Sequence, residues 1–380
     1  MTLHRTTTPA ALTAVTTKPA SSTHFRRWPL ILEARIWRSL MRIGMWMHKL
    51  APPRPSKPSF SLHIPSTLSP RSGNIRLVFY VPPEYERGSQ QQWPVLVNFH
   101  GGGYTLGEPT DDARWAMALV QHAGVVCCSV AYRRAPEYPF PTAVEDGADA
   151  LLYMLDHASE LSLDADKLGV CGFSAGGNMA LTATLLLQDA LLRRAGGSET
   201  PEQAQKRHAA VKLVVSWYPP VDVTLTRDQR RASGSRPDKA LPAFFTTLFD
   251  KSYLWPPGTV ELDSPYLSPG VAADDLLQLL PHELVIYTCE WDQLWDEGEK
   301  FRKRMEGLGK RVRGRVICNV AHAWDKGPNP LRENRIAREA YLEACGEIRR
   351  VFNLTSAAES RDTISTNPTS VPATSTARLV

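Results

Sequence analysis

The chain has 380 residues, of which 43% are apolar, and a formal net charge of +5. That length and apolar content suffice for one large α/β core and leave room for two domains. Charges of both signs are spread through the middle of the sequence, so no bulk basic surface for nucleic acid is indicated. The basic excess is local, with eight Lys or Arg and the single acid Glu33 in residues 1–50.

Residues 1–24 are rich in Thr, Ser and Pro and hold no acid, which predicts a disordered segment. The same absence of acids is compatible with a mitochondrial presequence, although a cytoplasmic location is the primary expectation. Residues 25–60 read as an amphipathic helix over 28–50 followed by a stiff connector. Leu30, Ala34, Trp37, Met41 and Met45 share one face, and Arg35, Arg38 and Arg42 mark the other. Pro52, Pro53, Pro55 and Pro58 cannot continue the helix. The charges within 28–47 rule out a spanning helix, which needs about 18 or more apolar residues.

Residues 61–353 read as the catalytic domain. Short β-rich runs at 75–81, 95–100, 125–131, 168–172, 211–217, 283–289 and 312–318 alternate with helical runs. The helices are expected at 111–123, 142–159, 175–194, 294–308 and 332–352. Such alternation predicts a mostly parallel sheet covered on both faces. Residues 195–209 read as a polar surface loop. An insertion around 223–270, with a helical patch at 241–253, reads as a lid over the sheet. Residues 354–380 return to Ser/Thr/Pro composition and read as a disordered tail. The six cysteines form no C-x-x-C pair and lie mostly in apolar runs, which predicts buried reduced thiols.

The sharpest chemical signal is Gly172-Phe173-Ser174-Ala175-Gly176, with an apolar run before it and good helix formers after it. Acyl transfer needs an exposed serine oxygen beside a base, and a G-x-S-x-G turn between strand and helix provides it. Upstream, His100-Gly101-Gly102-Gly103-Tyr104 follows the run Val95–Phe99. Its glycines let the main chain approach a developing oxyanion, for which Gly101, Gly102 and Ala175 are the expected N–H donors. His100 reads as a loop-ordering residue rather than a base. Neither G-x-G-x-x-G nor G-x-x-x-x-G-K-[ST] occurs, and the remaining histidines show no paired ligand spacing. No cofactor or metal is therefore expected.

The acid and base must follow the serine and sit at the same edge of the sheet. Asp292 lies three residues past the strand at 283–289, and His322 four residues past the strand at 312–318. Asp296, Asp325 and Glu290 are alternatives for the acid. The acid's task is to hold the imidazole in the correct tautomer and stabilise its charged form.

Taken together, these motifs resemble the hormone-sensitive-lipase family of α/β-hydrolases, over roughly residues 75–350. The resemblance is carried by His100–Tyr104, by the block Ala131-Tyr132-Arg133-Arg134-Ala135-Pro136-Glu137-Tyr138-Pro139-Phe140-Pro141, by the elbow through Gly177-Asn178, and by Trp291–Gly298. It implies an α/β-hydrolase fold with an eight-stranded, mostly parallel sheet, helices on both faces and a helical cap built partly from residues 28–50. It also implies hydrolysis of esters with short to medium acyl chains. Four positions depart from the family: Phe173 replaces an Asp, Gln293 a Pro, and Ala323-Trp324 a Gly-Phe pair. Tyr104, Phe173, Tyr218 and Trp324 are the candidates for lining the substrate pocket.

The same triad also serves thioesterases, lactonases, amidases and natural-product tailoring esterases, and the fold also serves non-catalytic ligand receptors. The receptors it resembles lack the histidine that His322 provides. A small-molecule ester is the expected partner. A basic amphipathic helix at 28–50 also permits peripheral membrane contact. No motif addresses the oligomeric state.

Overall fold

The computed structural model describes residues 27–354. The expected disordered segments 1–24 and, but for its first residue, 354–380 fall outside that range.

Nine strands form the sheet: β1 (Phe60–Pro65), β2 (Asn74–Tyr80), β3 (Trp93–Phe99), β4 (Val126–Ala131), β5 (Leu163–Phe173), β6 (Leu213–Trp217), β7 (Glu283–Cys289), β8 (Arg311–Arg313) and β9 (Val316–Ile317). Their order is β1-β2-β4-β3-β5-β6-β7-β8, with β9 also beside β7. β2 runs antiparallel to β1 and β4, and every other pairing is parallel. The mostly parallel sheet inferred from the sequence is present, with two differences.

β1 escapes the pattern reading because it is a half-exposed edge strand with a single buried residue, Ile64. The run at 312–318 is broken in two at Gly314, whose φ is +86° and whose missing Cβ leaves room for the Ile286 carbonyl. Eight strand positions are thus filled by nine segments.

The helices are α1 (Trp28–Leu50), α2 (Ala113–Ala118, continued by a π turn to Ala123), α3 (Thr142–Asp156), α4 (Ala175–Arg194), α5 (Pro201–His208), α6 (Arg227–Ser233), α7 (Ala243–Tyr253), α8 (Asp274–Leu277), α9 (Trp295–Gly307) and α10 (Arg335–Val351). Alternation along β3 divides the core. Val95, Val97 and Phe99 face a cluster completed by α3, α4 and α9, while Leu96 faces one completed by α2 and α10. Residues 195–209 are not simply a loop. Thr200 caps α5 in a capping box with Gln203, a signal that the uniformly polar composition hides. Among the cysteines, all free thiols, Cys318 is exposed and the other five are buried.

α1 lies across the carboxyl edge of the sheet against α7, where Trp37 meets Phe244 and Phe245 at ring distances of 5.1 and 4.7 Å. Its inward face carries the buried Ala34 and Met45, as the periodicity predicts. Arg35 and Arg42 lie exposed, but Arg38 departs from the expected polar face. Arg38 turns inward and grips Glu137 through two bonds of 2.9 and 2.8 Å, while also donating to the carbonyls of Thr105 and Ala135. A guanidinium supplies five donors in a planar fork, and only the inner side offers acceptors to match.

Candidate active site

Ser174 sits at the turn from β5 into α4 with φ 53° and ψ −118°. A non-glycine residue held at positive φ is strained, and the surroundings enforce it. The Ser174 N–H is tied to the Trp217 carbonyl at 2.8 Å. A Cβ on Gly172 would meet the Gly176 carbonyl oxygen at 2.2 Å, and one on Gly176 would meet the Phe99 carbonyl oxygen at 1.9 Å. Both glycines are therefore steric requirements of the corner.

His322 stands 2.8 Å from Ser174 Oγ through Nε2 and 2.5 Å from Asp292 Oδ2 through Nδ1. With Nδ1–H donating to the carboxylate, Nε2 is left to accept from the serine hydroxyl. The Leu294 N–H donates to the other oxygen of Asp292 at 3.1 Å, and Asp292 is almost fully buried. The three alternative acids are engaged elsewhere. Asp296 pairs with Lys300, and Glu290 accepts from the Asn319 N–H. Asp325 takes the hydroxyls of Tyr218 and Tyr341, each at 2.5 Å.

The glycine loop lies directly over the elbow. A Cβ on Gly101 would come 3.1 Å from the Phe173 carbonyl oxygen and 3.6 Å from Ser174 Cβ. Gly102 and Gly103 have φ of 112° and 58°, and a side chain at Gly103 would strike the Phe249 ring of α7. Among the described residues, no turn or loop hydrogen bond uses the N–H of Gly101 or Gly102, and Ala175 opens α4 with its N–H at the helix N-terminus. His100 is buried, stacks on Tyr132 and reaches the Gly101 carbonyl at 2.8 Å. Burial holds its pKa down at about 3, against the pull of that carbonyl, so the ring stays neutral and orders the loop.

Two cavities open beside Ser174 and His322. The smaller, about 60 Å³, is lined by Tyr104, Val223, Leu241, Tyr253 and Leu267 among others. The larger, about 170 Å³, runs beneath α1 and is lined by Met41, Met45, Leu106, Phe173, Tyr218 and Phe245 among others. Tyr104, Phe173 and Tyr218 thus reach the site. Trp324 does not. Ala323 adopts φ 56° and starts a 3₁₀ turn, and the indole lines a separate cavity with Arg114 and His122.

A buried polar group behind the histidine has no signature in the motifs. Lys326 lies 2.8 Å from Asp112 and 3.0 Å from Asp325, with its ammonium 3.8 Å above the Phe173 ring. Burial alone would raise the Asp325 pKa, but the Lys326 ammonium and the two tyrosine hydroxyls outweigh it and hold the carboxyl below its usual range. Tyr218, held by Asp325, sets its ring edge-on to His322 with 4.9 Å between centroids. The Phe173 departure makes sense here, because an aromatic face under a lysine accommodates the cation. Residue types alone do not reveal this cluster, since Asp112 and Lys326 are more than two hundred positions apart.

Comparison with known proteins agrees with this fold. A family model described as alpha/beta hydrolase fold matches residues 96–326. An arylesterase of Saccharolobus solfataricus is 33% identical over 250 residues, covering 66% of this chain and 74% of its own. An ethyl acetate hydrolase of Pseudomonas putida is 32% identical over 260 residues, covering 67% and 73%. Among solved structures, an esterase of Pyrobaculum calidifontis superposes with a TM-score of 0.68 at 28% identity, over 86% of this chain and 95% of that one. Fold, sequence and family match converge, and the chain belongs to the α/β-hydrolase fold family, within its hormone-sensitive-lipase-like carboxylic-ester hydrolases.

Proposed function

We propose that the chain is a serine carboxylesterase that cleaves short- to medium-chain acyl esters through an acyl-enzyme. One observation carries the reading: a single imidazole bridges the elbow serine and a buried carboxylate at hydrogen-bond distance on both sides. Ser174 Oγ attacks the ester carbonyl while His322 Nε2 takes its proton, and Asp292 stabilises the resulting imidazolium. The carbonyl oxygen, now an anion, accepts from the N–H groups of Gly101, Gly102 and Ala175. His322 then returns the proton to the departing alcohol. Water enters, gives its proton to His322 and releases the acid by the same steps in reverse. The two cavities divide acyl from alcohol around the serine, and their combined size suits modest groups better than long rigid ones. α1, α6 and α7 serve as the cap that closes over them.

Turnover of nitrophenyl esters from acetate to palmitate, with a fluorophosphonate probe in parallel, tests this. Fast turnover of the short esters and stoichiometric labelling at Ser174 are expected. Absence of labelling, or labelling at another residue, would overturn the mechanism.

A further inference from the structure

α1 has a second apolar face, and it points away from the protein. Trp28, Leu32, Ile36, Leu40, Ile43 and Trp46 recur every three or four residues, so they line one side of the helix. Each is between 50% and 62% exposed. The stripe cannot rotate inward, because Arg38 fixes the helix to Glu137 and to two loop carbonyls. Ser39, the one hydroxyl within it, donates back to the Arg35 carbonyl at 3.0 Å and so presents no unmet polar group outward.

We propose that this face seats the protein on an anionic lipid surface, with α1 lying in the plane of the interface. Three features favour lipid over a protein partner. First, the stripe has an indole at each end and aliphatic side chains between, and Trp is the residue that settles at the boundary between headgroups and hydrocarbon. Second, charge complements it. Residues 1–27, which lead into the stripe, carry Arg5, Lys18, Arg26 and Arg27 and no acid. Arg35 and Arg42, on one margin of the stripe, are exposed enough to reach headgroups while pairing with Glu137 and Glu108. Third, the area is too small for a stable dimer. A stripe from Trp28 to Trp46, rising about 1.5 Å per residue and one helix wide, covers roughly 300 Å², against about 800 Å² per partner in a standard interface.

No described helix is long and apolar enough to cross a membrane, so the helix rests on the surface rather than spanning it. Its other face contributes Met41 and Met45 to the larger cavity beside Ser174. One helix therefore has lipid on its outer side and the reacting serine on its inner side. Esters concentrated in the interface would meet the pocket at its mouth. The inference goes beyond the esterase reading and does not depend on it, because binding is measured without turnover.

The test is sedimentation of the full chain with vesicles of phosphatidylcholine, alone or with phosphatidylglycerol, beside the variant Leu32→Glu/Ile36→Glu/Ile43→Glu. Wild type should sediment with the anionic vesicles at least tenfold more strongly than with the neutral ones. Binding should weaken as salt rises from about 0.1 M to about 1 M, where screening shortens from about 10 Å to about 3 Å. The variant should lose binding more than tenfold while hydrolysing nitrophenyl acetate like wild type, which also reports that it is folded. Failure of wild type to bind, or equal binding by the variant, would overturn the proposal. So would a wild-type dimer in sedimentation velocity that the variant dissolves, which would assign the face to a second copy.

Discussion

The elbow at Ser174 and helix α1 both border the same pocket, yet they are held there by different means. The elbow is fixed locally. Within five residues, two glycines without room for a Cβ and one serine at positive φ define the corner, and its partners come from neighbouring strands of the same sheet. α1 is fixed from a distance. Its position depends on Arg38 reaching Glu137, 99 residues on, on Trp37 against α7 and on His48 and Arg114 at its far end. Steric necessity makes a rigid corner, whereas a few long-range polar contacts make a wall that can be loosened one contact at a time.

The largest effects should follow from breaking the corner's chemistry. Ser174→Ala should fold normally and lose about four to six orders of magnitude in kcat, since triad members act as one unit. His322→Ala should cost about as much, and Asp292→Asn somewhat less, with losses that do not multiply when combined. Steady-state kinetics on nitrophenyl acetate checks all three. A neutral Asp292→Asn beside an inactive Asp325→Asn would move the acid to the neighbouring loop.

The wall should respond more mildly and differently. Arg38→Ala leaves two loop carbonyls and Glu137 without their main donor, a loss of about 2–3 kcal/mol for charge-assisted, part-buried bonds. Because Met41 and Met45 line the larger cavity, KM for bulky esters should rise roughly tenfold, as expected when about 1.4 kcal/mol of uniform binding is lost. kcat for acetate should stay near wild type. Arg42→Ala, which breaks an exposed pair with Glu108, should change neither, because such pairs contribute about 0–1 kcal/mol. Equal effects of the two variants would mean that Arg38 is not the anchor.

The same contrast explains what the sequence discloses. Elements fixed locally are legible. The elbow, the glycine loop and α4 stand where their residue patterns put them, and Asp292 and His322 follow from their places just past β7 and β9. Features that depend on distant partners are not. Arg38 reads as a solvent-facing charge until Glu137 is beside it, and Lys326 carries no signal in the sequence, since Asp112 and Phe173 enclose it only in the fold. Trp324 reads as a pocket residue until the left-handed Ala323 turns it away. The antiparallel strand β1 is missed for a related reason, since only its pairing with β2 makes it a strand.

The smallest effect should appear at the C-terminal end of α1 and depends on pH. His48 is buried between Arg114, whose Nε donates to His48 Nε2 at 3.2 Å, and the Gly327 carbonyl, 3.2 Å from Nδ1. Burial lowers its pKa from 6.5 to about 4, with help from the positive charges of Lys326 and Arg114 and against the pull of the Gly327 carbonyl and Asp325. A histidine with a depressed folded-state pKa binds fewer protons folded than unfolded. Its contribution is therefore complete above pH 6.5 and is lost as pH falls towards 4. That loss amounts to about 1 kcal/mol at pH 6 and about 2 kcal/mol at pH 5. Two carboxyls oppose it. Burial raises the Asp111 pKa to about 6 despite Lys49, and raises that of Glu297 to about 7 despite Arg230. Acids raised on folding contribute stability at low pH and lose it as pH rises, so the total profile mixes both signs. Subtraction isolates the histidine. The stability difference between wild type and His48→Gln should be constant from pH 8 to 7 and then shift by about 1 kcal/mol in the variant's favour at pH 6. Urea unfolding at each pH measures it. A difference independent of pH would show that the α1 terminus does not sense the proton, and that His48 titrates in the folded protein as it does in the unfolded chain.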